Sequence, residues 1–412
     1  MAADEREREF AKRLVEMFAR ELAQATELEL DDVEVEIEEM EIGLHPIILV
    51  QTIVQQIVQQ PLQPAPAAPV VEEKFEFEKA EMKRPEVKWT GKIVAVKLGA
   101  TKSEGGTREV TYTIGGWDAP RLYAGPGGFY RPIISMDVFD TKVPLPRAVR
   151  DAIGKDLLDN PPEWARACVE KFGADMVNVH LVSTDPKVMD APPSQAVKVV
   201  EEVLQAVKVP LFIGGSGNPK KDQEVFKAIA EHFAGERLLI SPLTLDMKLE
   251  EIAPIIKKCN HAVVASVTMD IDKARQLTRK LTTWLAPEDI TIDLFGAGIG
   301  YGWEYSYSIM ERARLAALSG DKELQYPIIA AASNAWAARE AWMKMDEFWG
   351  PKEVRGPLWE FLSALTMVLA GADFLLVLHP LTVRLLKMTF DALEKYEQAP
   401  QTGKEIFAKW LP

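Results

Sequence analysis

The side chains with chemistry to offer stand at the carboxyl ends of short apolar runs. Asp137 and Asp140 close one run, and Asn178, His180 and Ser183 close the next. Gly214-Gly215-Ser216-Gly217-Asn218 follows, then Thr244 and Asp246, then Thr268 and Asp270. Asp293 leads into Gly296-Ala297-Gly298, and Ser333, Asn334 and His379 complete the set. Most of these groups are neutral hydrogen-bonders, and candidate general bases are few. No serine or cysteine stands in an elbow or triad context. The expected work is therefore binding, with no catalytic residue and no metal ligand assigned. The ligand-contacting set is Asp137, Asn178, His180, Gly215, Ser216, Asn218, Thr244, Thr268, Asp293, Gly296, Gly298, Ser333, Asn334 and His379.

Each local pattern has a plain reading beside the functional one. Gly214 to Asn218, followed by Pro219, enters a helix with Asn218 as N-cap and Pro219 in the first helical position. Free amides there would suit an anion or an amide-bearing cofactor edge, and an ordinary strand-to-helix turn accounts for the residues equally well. The string Asp293 to Gly302 resembles a dinucleotide loop but contains no G-x-G-x-x-G, because Tyr301, Trp303 and Tyr305 take the third glycine positions. Four alternating glycines still imply that something approaches the backbone closely. No G-x-x-x-x-G-K-[ST] occurs, so nucleotide hydrolysis is unsupported. His180 and His379 lack further ligands at metal spacing and read as hydrogen-bonded rim histidines. Trp303, Tyr305, Tyr307 and Trp336 read as helix-packing aromatics, with one or two able to cover a flat ligand.

The elements that would position this set alternate regularly. Strands are expected at 132–138, 175–182, 209–214, 237–242, 261–267, 289–295, 326–332 and 373–379, from short runs rich in β-branched residues. Helices are expected between them, at 162–172, 194–207, 219–234, 248–259, 271–285, 303–318, 336–345 and 357–370, with a last one at 381–395. Eight strand–helix units predict an α/β fold, a (β/α)₈ (TIM) barrel over 131–397, whose strand ends all face one mouth.

Ahead of the barrel the pattern differs. Residues 5–25 read as an amphipathic helix, and 33–37 as a short half-buried strand, giving a small acidic α+β module over 1–60. A Pro/Ala-rich linker covers 61–90. Over 91–130, two β-rich stretches (92–99 and 108–114) flank Ser103-Glu104-Gly105-Gly106 and predict a hairpin leading into the barrel. Residues 398–412 form a tail. The 412 residues carry a net charge of −14, of which −11 lies in residues 1–90. With no basic, aromatic-interleaved stripe, nucleic acid is not an expected partner. The charged N-terminus and the interrupted apolar run at 47–58 predict neither a signal peptide nor a membrane span. Cys168 and Cys259, 91 positions apart, cannot supply a four-thiolate cluster and read as buried free thiols of a cytoplasmic protein.

Several long strings carry a resemblance. VAVKLGATKSEGGTREVTYTIGG at 94–116, FYRPIISMDVFD at 129–140 and GADMVNVHLVSTDP at 173–186 are followed by LFIGGSGNPKKD at 211–222 and DLFGAGIGYGWEYSYSIMERARLAAL at 293–318. Over about 90–397 the chain resembles the delta subunit of the acetyl-CoA decarbonylase/synthase complex, the small subunit of the corrinoid iron–sulfur protein, with an archaeal-type N-terminal extension. The resemblance implies a barrel that is not catalytic alone and pairs with a large (gamma) subunit holding the four-iron cluster. It further implies a corrinoid shared between the two, carrying a methyl group between a tetrahydropterin and acetyl-CoA synthase in anaerobic one-carbon metabolism. Acetyl-CoA synthase and CO dehydrogenase components are the wider partners implied. No histidine stands in a D-x-H-x-x-G corrinoid motif, and a rim rich in Asn, Thr, Ser and Gly suits an amide-fringed corrin. Two other readings compete: an autonomous pterin-dependent methyltransferase using Asp137, Asn178 and Asp293, and a pure scaffold without ligand contact.

Overall fold

The structure, a computed structural model, describes residues 88–120, 130–294 and 302–398. The expectations for the N-terminal module, nearly all of the linker, the tail beyond 398, Gly296 and Gly298 lie outside the described residues.

Eight parallel strands close into a barrel: β3 (Ile133–Phe139), β4 (Met176–His180), β5 (Leu211–Gly214), β6 (Leu239–Leu243), β7 (Ala262–Ser266), β8 (Ile290–Asp293), β9 (Ile328–Ala331) and β10 (Ala372–Val377). Every strand pairs with its sequence neighbour, and β10 closes on β3 with Phe374 beside Ile133. Around the barrel lie α1 (Arg147–Ile153), α2 (Lys155–Leu158), α3 (Pro161–Glu170), α4 (Pro193–Ala206), α5 (Pro219–His232), α6 (Leu249–Lys258) and α7 (Ile271–Leu281), then α8 (Trp303–Leu318), α9 (Lys352–Leu369) and α10 (Pro380–Gln398). Strand alternation sorts the core into two layers. Ile134, Met136, Val138, Val177 and Val179 face outward and bury the helices' apolar stripes. Ile133, Met176, Phe212, Leu239, Val264, Ile329 and Phe374 fill the barrel interior.

One expected helix does not form. Residues 336–345 are taken up by 3₁₀ turns at Ala332–Ala337 and Arg339–Ala341. Ala338 is extended (ψ 125°), and the buried Arg355 donates to the carbonyls of Glu340 (2.6 Å) and Met343. Those oxygens would otherwise accept the bonds of a continuing helix. The barrel helix is instead α9, which starts at Lys352 and runs through Pro357, the residue that reads in the sequence as its start.

The hairpin forms from β1 (Val96–Leu98) and β2 (Tyr112–Ile114), shorter than its sequence pattern. It plugs one end of the barrel, with Val96, Leu98 and Ile114 joining the interior cluster. Its polar ties run to the segments that feed the strands. The guanidinium of Arg108 donates to the carbonyls of Leu204, Val207 and Val209 and pairs with Glu236 at 3.3 Å. The guanidinium of Arg237 donates to the Lys97 carbonyl, and Val94 N donates to Gln325 O. The hairpin therefore closes the amino-terminal end of the barrel and leaves the carboxyl end as the mouth. No helix among the described residues is long and apolar enough to cross a membrane.

Candidate functional site

Above the apolar filling, the interior turns polar. Neighbouring residues in a parallel register share a face, so Ser135 (beside Met176), Asp137 (beside Asn178), His180 (beside Gly214) and Asp293 (beside Ser266) continue the inward rows. The layer carries one tight pair. Asn178 Nδ2 donates to Asp137 Oδ1 at 2.6 Å, with both side chains buried. Burial raises the Asp137 carboxyl above the usual range, opposed by the nearby His180 and by hydrogen bonds from Asn178 and Ser333. Ser333 follows β9, so it reaches Asp137 across β10.

Two other carboxylates near the mouth are occupied. Asp140 accepts from the backbone N–H of Ser183 at 2.9 Å and from its hydroxyl. Asp222 accepts from Ser216 N (2.8 Å), Ser216 Oγ (2.7 Å) and Gly217 N (2.9 Å). Burial raises both carboxyls, and those bonds together with the nearby His180 pull them back. His180 thus sits among three acids, its ring stacked on Phe139 at 5.3 Å.

The structure divides the sequence-derived set. Asp137, Asn178, His180 and Ser333 come together on one side of the mouth. Gly215, Ser216 and Asn218 form the entry turn of α5. Asn218 Oδ1 accepts from Lys221 N at 3.2 Å, the Ser216 and Gly217 amides are taken by Asp222, and a Cβ on Gly215 would stand 2.6 Å from Phe226. The reading of these amides as free is thereby corrected: the side chain four residues after Asn218 claims them. Thr268 is exposed on the rim, and Thr244, Asp293 and Asn334 are partly buried. His379 is buried under Trp336, ring centroids 5.7 Å apart, with its Nδ1 accepting from Leu381 N at 3.1 Å. Burial pushes its pKa down to about 4, against a hydrogen bond to the Ala148 backbone.

Buried polar atoms at this end go unpartnered: Ser135 Oγ, Asn178 Oδ1, Thr244 Oγ1 and Ser266 Oγ. Such atoms cost stability unless water or a ligand meets them. Ser135 and Ser266 escape a reading that looks only at strand ends, although period-two alternation from Ile133 and Val264 points to both. Glu360 is a further residue outside the sequence-derived set. Fully buried on α9, it accepts from Leu378 N (2.6 Å), His379 N (3.1 Å) and Thr382 Oγ1 (2.6 Å), fixing the loop after β10. Its signal in the sequence is a lone acid among Gly356, Ser363, Ala364 and Met367 at helical spacing.

Cys168 and Cys259 are free and buried, and burial raises both thiols. Among the described residues no three His, Cys, Asp or Glu side chains gather as a metal site. The arrangement offers hydrogen bonds and shape.

The chain is 47% identical over 320 residues to the acetyl-CoA decarbonylase/synthase complex subunit delta of Archaeoglobus fulgidus, covering 74% of this chain and 69% of that one. The Methanocaldococcus jannaschii subunit delta is 38% identical over 365 residues, 87% of each chain. Among solved structures, Xanthomonas albilineans dihydropteroate synthase with 4-aminobenzoic acid superposes with a TM-score of 0.46 at 17% identity, covering 66% of this chain and 94% of that one, a likeness too low to bear on function. Residues 95–390 match the family model described as CO dehydrogenase/acetyl-CoA synthase delta subunit, and the chain belongs to that family.

Proposed function

We propose that this chain is the non-catalytic barrel half of a corrinoid-holding pair in the cytoplasm, its mouth facing a corrinoid whose other side is held by a large subunit with the iron–sulfur cluster. When bound, the corrinoid supplies a cobalt that accepts and releases a methyl group, between a tetrahydropterin and acetyl-CoA synthase in the complex that also contains CO dehydrogenase. Of this chain's residues, Asn178, Thr244, Thr268, Asp293, Ser333 and Asn334 are the proposed contacts, with Asp137 and His180 behind them. Gly296 and Gly298 remain in the proposal from their sequence pattern.

The observation that carries the reading is the half-used Asn178 amide. Its N–H is spent on Asp137 while its oxygen has no partner. An acceptor held in place at a mouth otherwise lined by hydroxyls suits the primary amides that fringe a corrin, and Ser266 and Thr244 offer hydroxyls of either polarity. The buried Asp137 acts through Asn178: it fixes the orientation of the amide, whose oxygen lies beside Gly214. The residues present therefore fit the group.

The test is corrinoid retention in the co-expressed pair. Asn178→Leu keeps the bulk but removes the acceptor, and a loss of bound corrinoid relative to the unsubstituted pair is expected. Full retention in both Asn178→Leu and Asn334→Leu pairs would point to a scaffold role instead.

A further inference from the structure

One sector of the barrel wall is apolar on its outside. On α9, Val354, Leu358, Leu362 and Leu369 are each 40–44% exposed and recur at helical spacing along one stripe. Just ahead of them, Phe348 is 81% exposed and its ring neighbour Trp349 38%. Tyr305 and Leu315 on the adjoining α8 are 53% and 38% exposed. Between the start of α8 and the first turns of α9 lies a groove of about 460 Å³, its walls including Trp303, Trp349, Leu358 and Trp359. The outer face of α7 contrasts sharply: Arg275 and Arg279 there pair with Asp321 and Glu323.

Two considerations identify the occupant. The first is size. With about 150–250 Å² for each aromatic side chain and less for each aliphatic one, the exposed fractions represent roughly 700 Å² of apolar surface. That exceeds the roughly 300–600 Å² of the largest patch on an ordinary monomer and approaches the roughly 800 Å² that one partner contributes to a standard interface. The second is continuity with the mouth. The groove begins at Gly302 and Trp303, at the start of the helix that follows β8, so its upper end lies at the rim. A second copy docked through this sector would pair the face with itself and leave both mouths uncovered. A subunit that brings a corrinoid to the mouth reaches this sector by extending over the same rim.

We infer that the α8–α9 sector is the docking face for the corrinoid-bearing subunit, which presents an apolar helical ridge to the stripe of α9 and covers Phe348 and Trp349. This rests on the proposed pairing and adds where on the barrel it occurs. The anchors are the aromatic side chains, which dominate such interfaces when their surroundings exclude water.

The experiment uses the full chain co-expressed with its candidate large subunit, and reads complex formation by size exclusion with light scattering and affinity by titration. The double variant Leu358→Asp/Leu362→Asp is expected to weaken pairing at least 100-fold, and Phe348→Ala at least 10-fold. Val110→Asp, 41% exposed on the hairpin at the opposite end, is expected to stay within threefold of the unsubstituted chain. Thermal melts of each variant alone report whether the barrel is intact. Pairing that survives both the double variant and Phe348→Ala overturns the docking face and leaves the proposed function standing. No pairing by the unsubstituted chain overturns both. A homodimer of the chain alone that the double variant dissolves assigns the face to a second copy and overturns the inference.

Discussion

Asn178 and Asp137 occupy partnered positions on neighbouring strands, and the 2.6 Å bond between them leaves the amide oxygen of Asn178 with no partner. The carboxylate is buried, so it depends on this donor. The donor in turn is locked into one orientation. A rigid acceptor results from two residues that pay for each other's burial.

Asn178→Leu therefore acts twice. It removes the acceptor toward the ligand, and it strips Asp137 Oδ1 of the hydrogen bond from Asn178. Leaving a buried acceptor unpaired costs about 1–3 kcal/mol, so the variant's melting temperature falls as well as its corrinoid retention. Adding Asp137→Leu relieves the unpaired carboxyl. The double variant is expected to recover stability without recovering retention, and recovery of both would show that the amide oxygen has no binding role.

Arg108 ties the hairpin plug to three carbonyls and to Glu236, in a pair whose side chains are 2% and 9% exposed. Breaking a buried pair by removing one partner costs about 3–5 kcal/mol. Arg108→Ala is expected to lower the thermal midpoint by roughly 5–10 °C. A change under about 2 °C would mean that the hairpin contributes little to closing the barrel.

Most of the barrel was legible because its period is repeated: short β-branched runs alternate with amphipathic helices, and the observed strands Ile133–Phe139 and Met176–His180 fall within a residue or two of their patterns. The site was legible in part. Strand ends locate Asp137, Asn178 and His180, because the mouth is a property of the topology. What Asn218 and Ser216 do could not be read there, since it depends on Asp222 folding back from α5. His379 reads as a rim residue from its position after β10, yet Trp336 comes from a distant turn to cover it. The missing 336–345 helix has the same cause: Arg355, well along the chain, claims the carbonyls that a helix needs.

Glu360 gives the stability a pH dependence of known sign. Burial raises its carboxyl to about 7 from an ordinary 4.5, against the hydrogen bonds it accepts. Between those values the folded chain keeps a proton that the unfolded chain has released. The contribution is therefore fully present below about pH 4.5 and is lost as pH rises through about 7, amounting to about 3 kcal/mol at most. His261 and His379, held down to about 4 by burial, act oppositely: their contribution is lost as pH falls below the ordinary 6.5. Urea unfolding at pH 5 and pH 8 separates the two effects. On going from pH 5 to pH 8, Glu360→Gln is expected to gain stability relative to the unsubstituted chain, and an unchanged difference between the two at both pH values would remove Glu360 as a source of the pH dependence.

The most direct measurement is a visible spectrum with cobalt and iron analysis of the full chain purified alone and co-expressed with its candidate large subunit, with cobalamin added to both. A shared corrinoid predicts cobalt and iron retained by the pair and not by this chain by itself. Cobalt held by the chain alone, together with methylation of added cobalamin from a methylated pterin, would contradict that and make this barrel an enzyme in its own right.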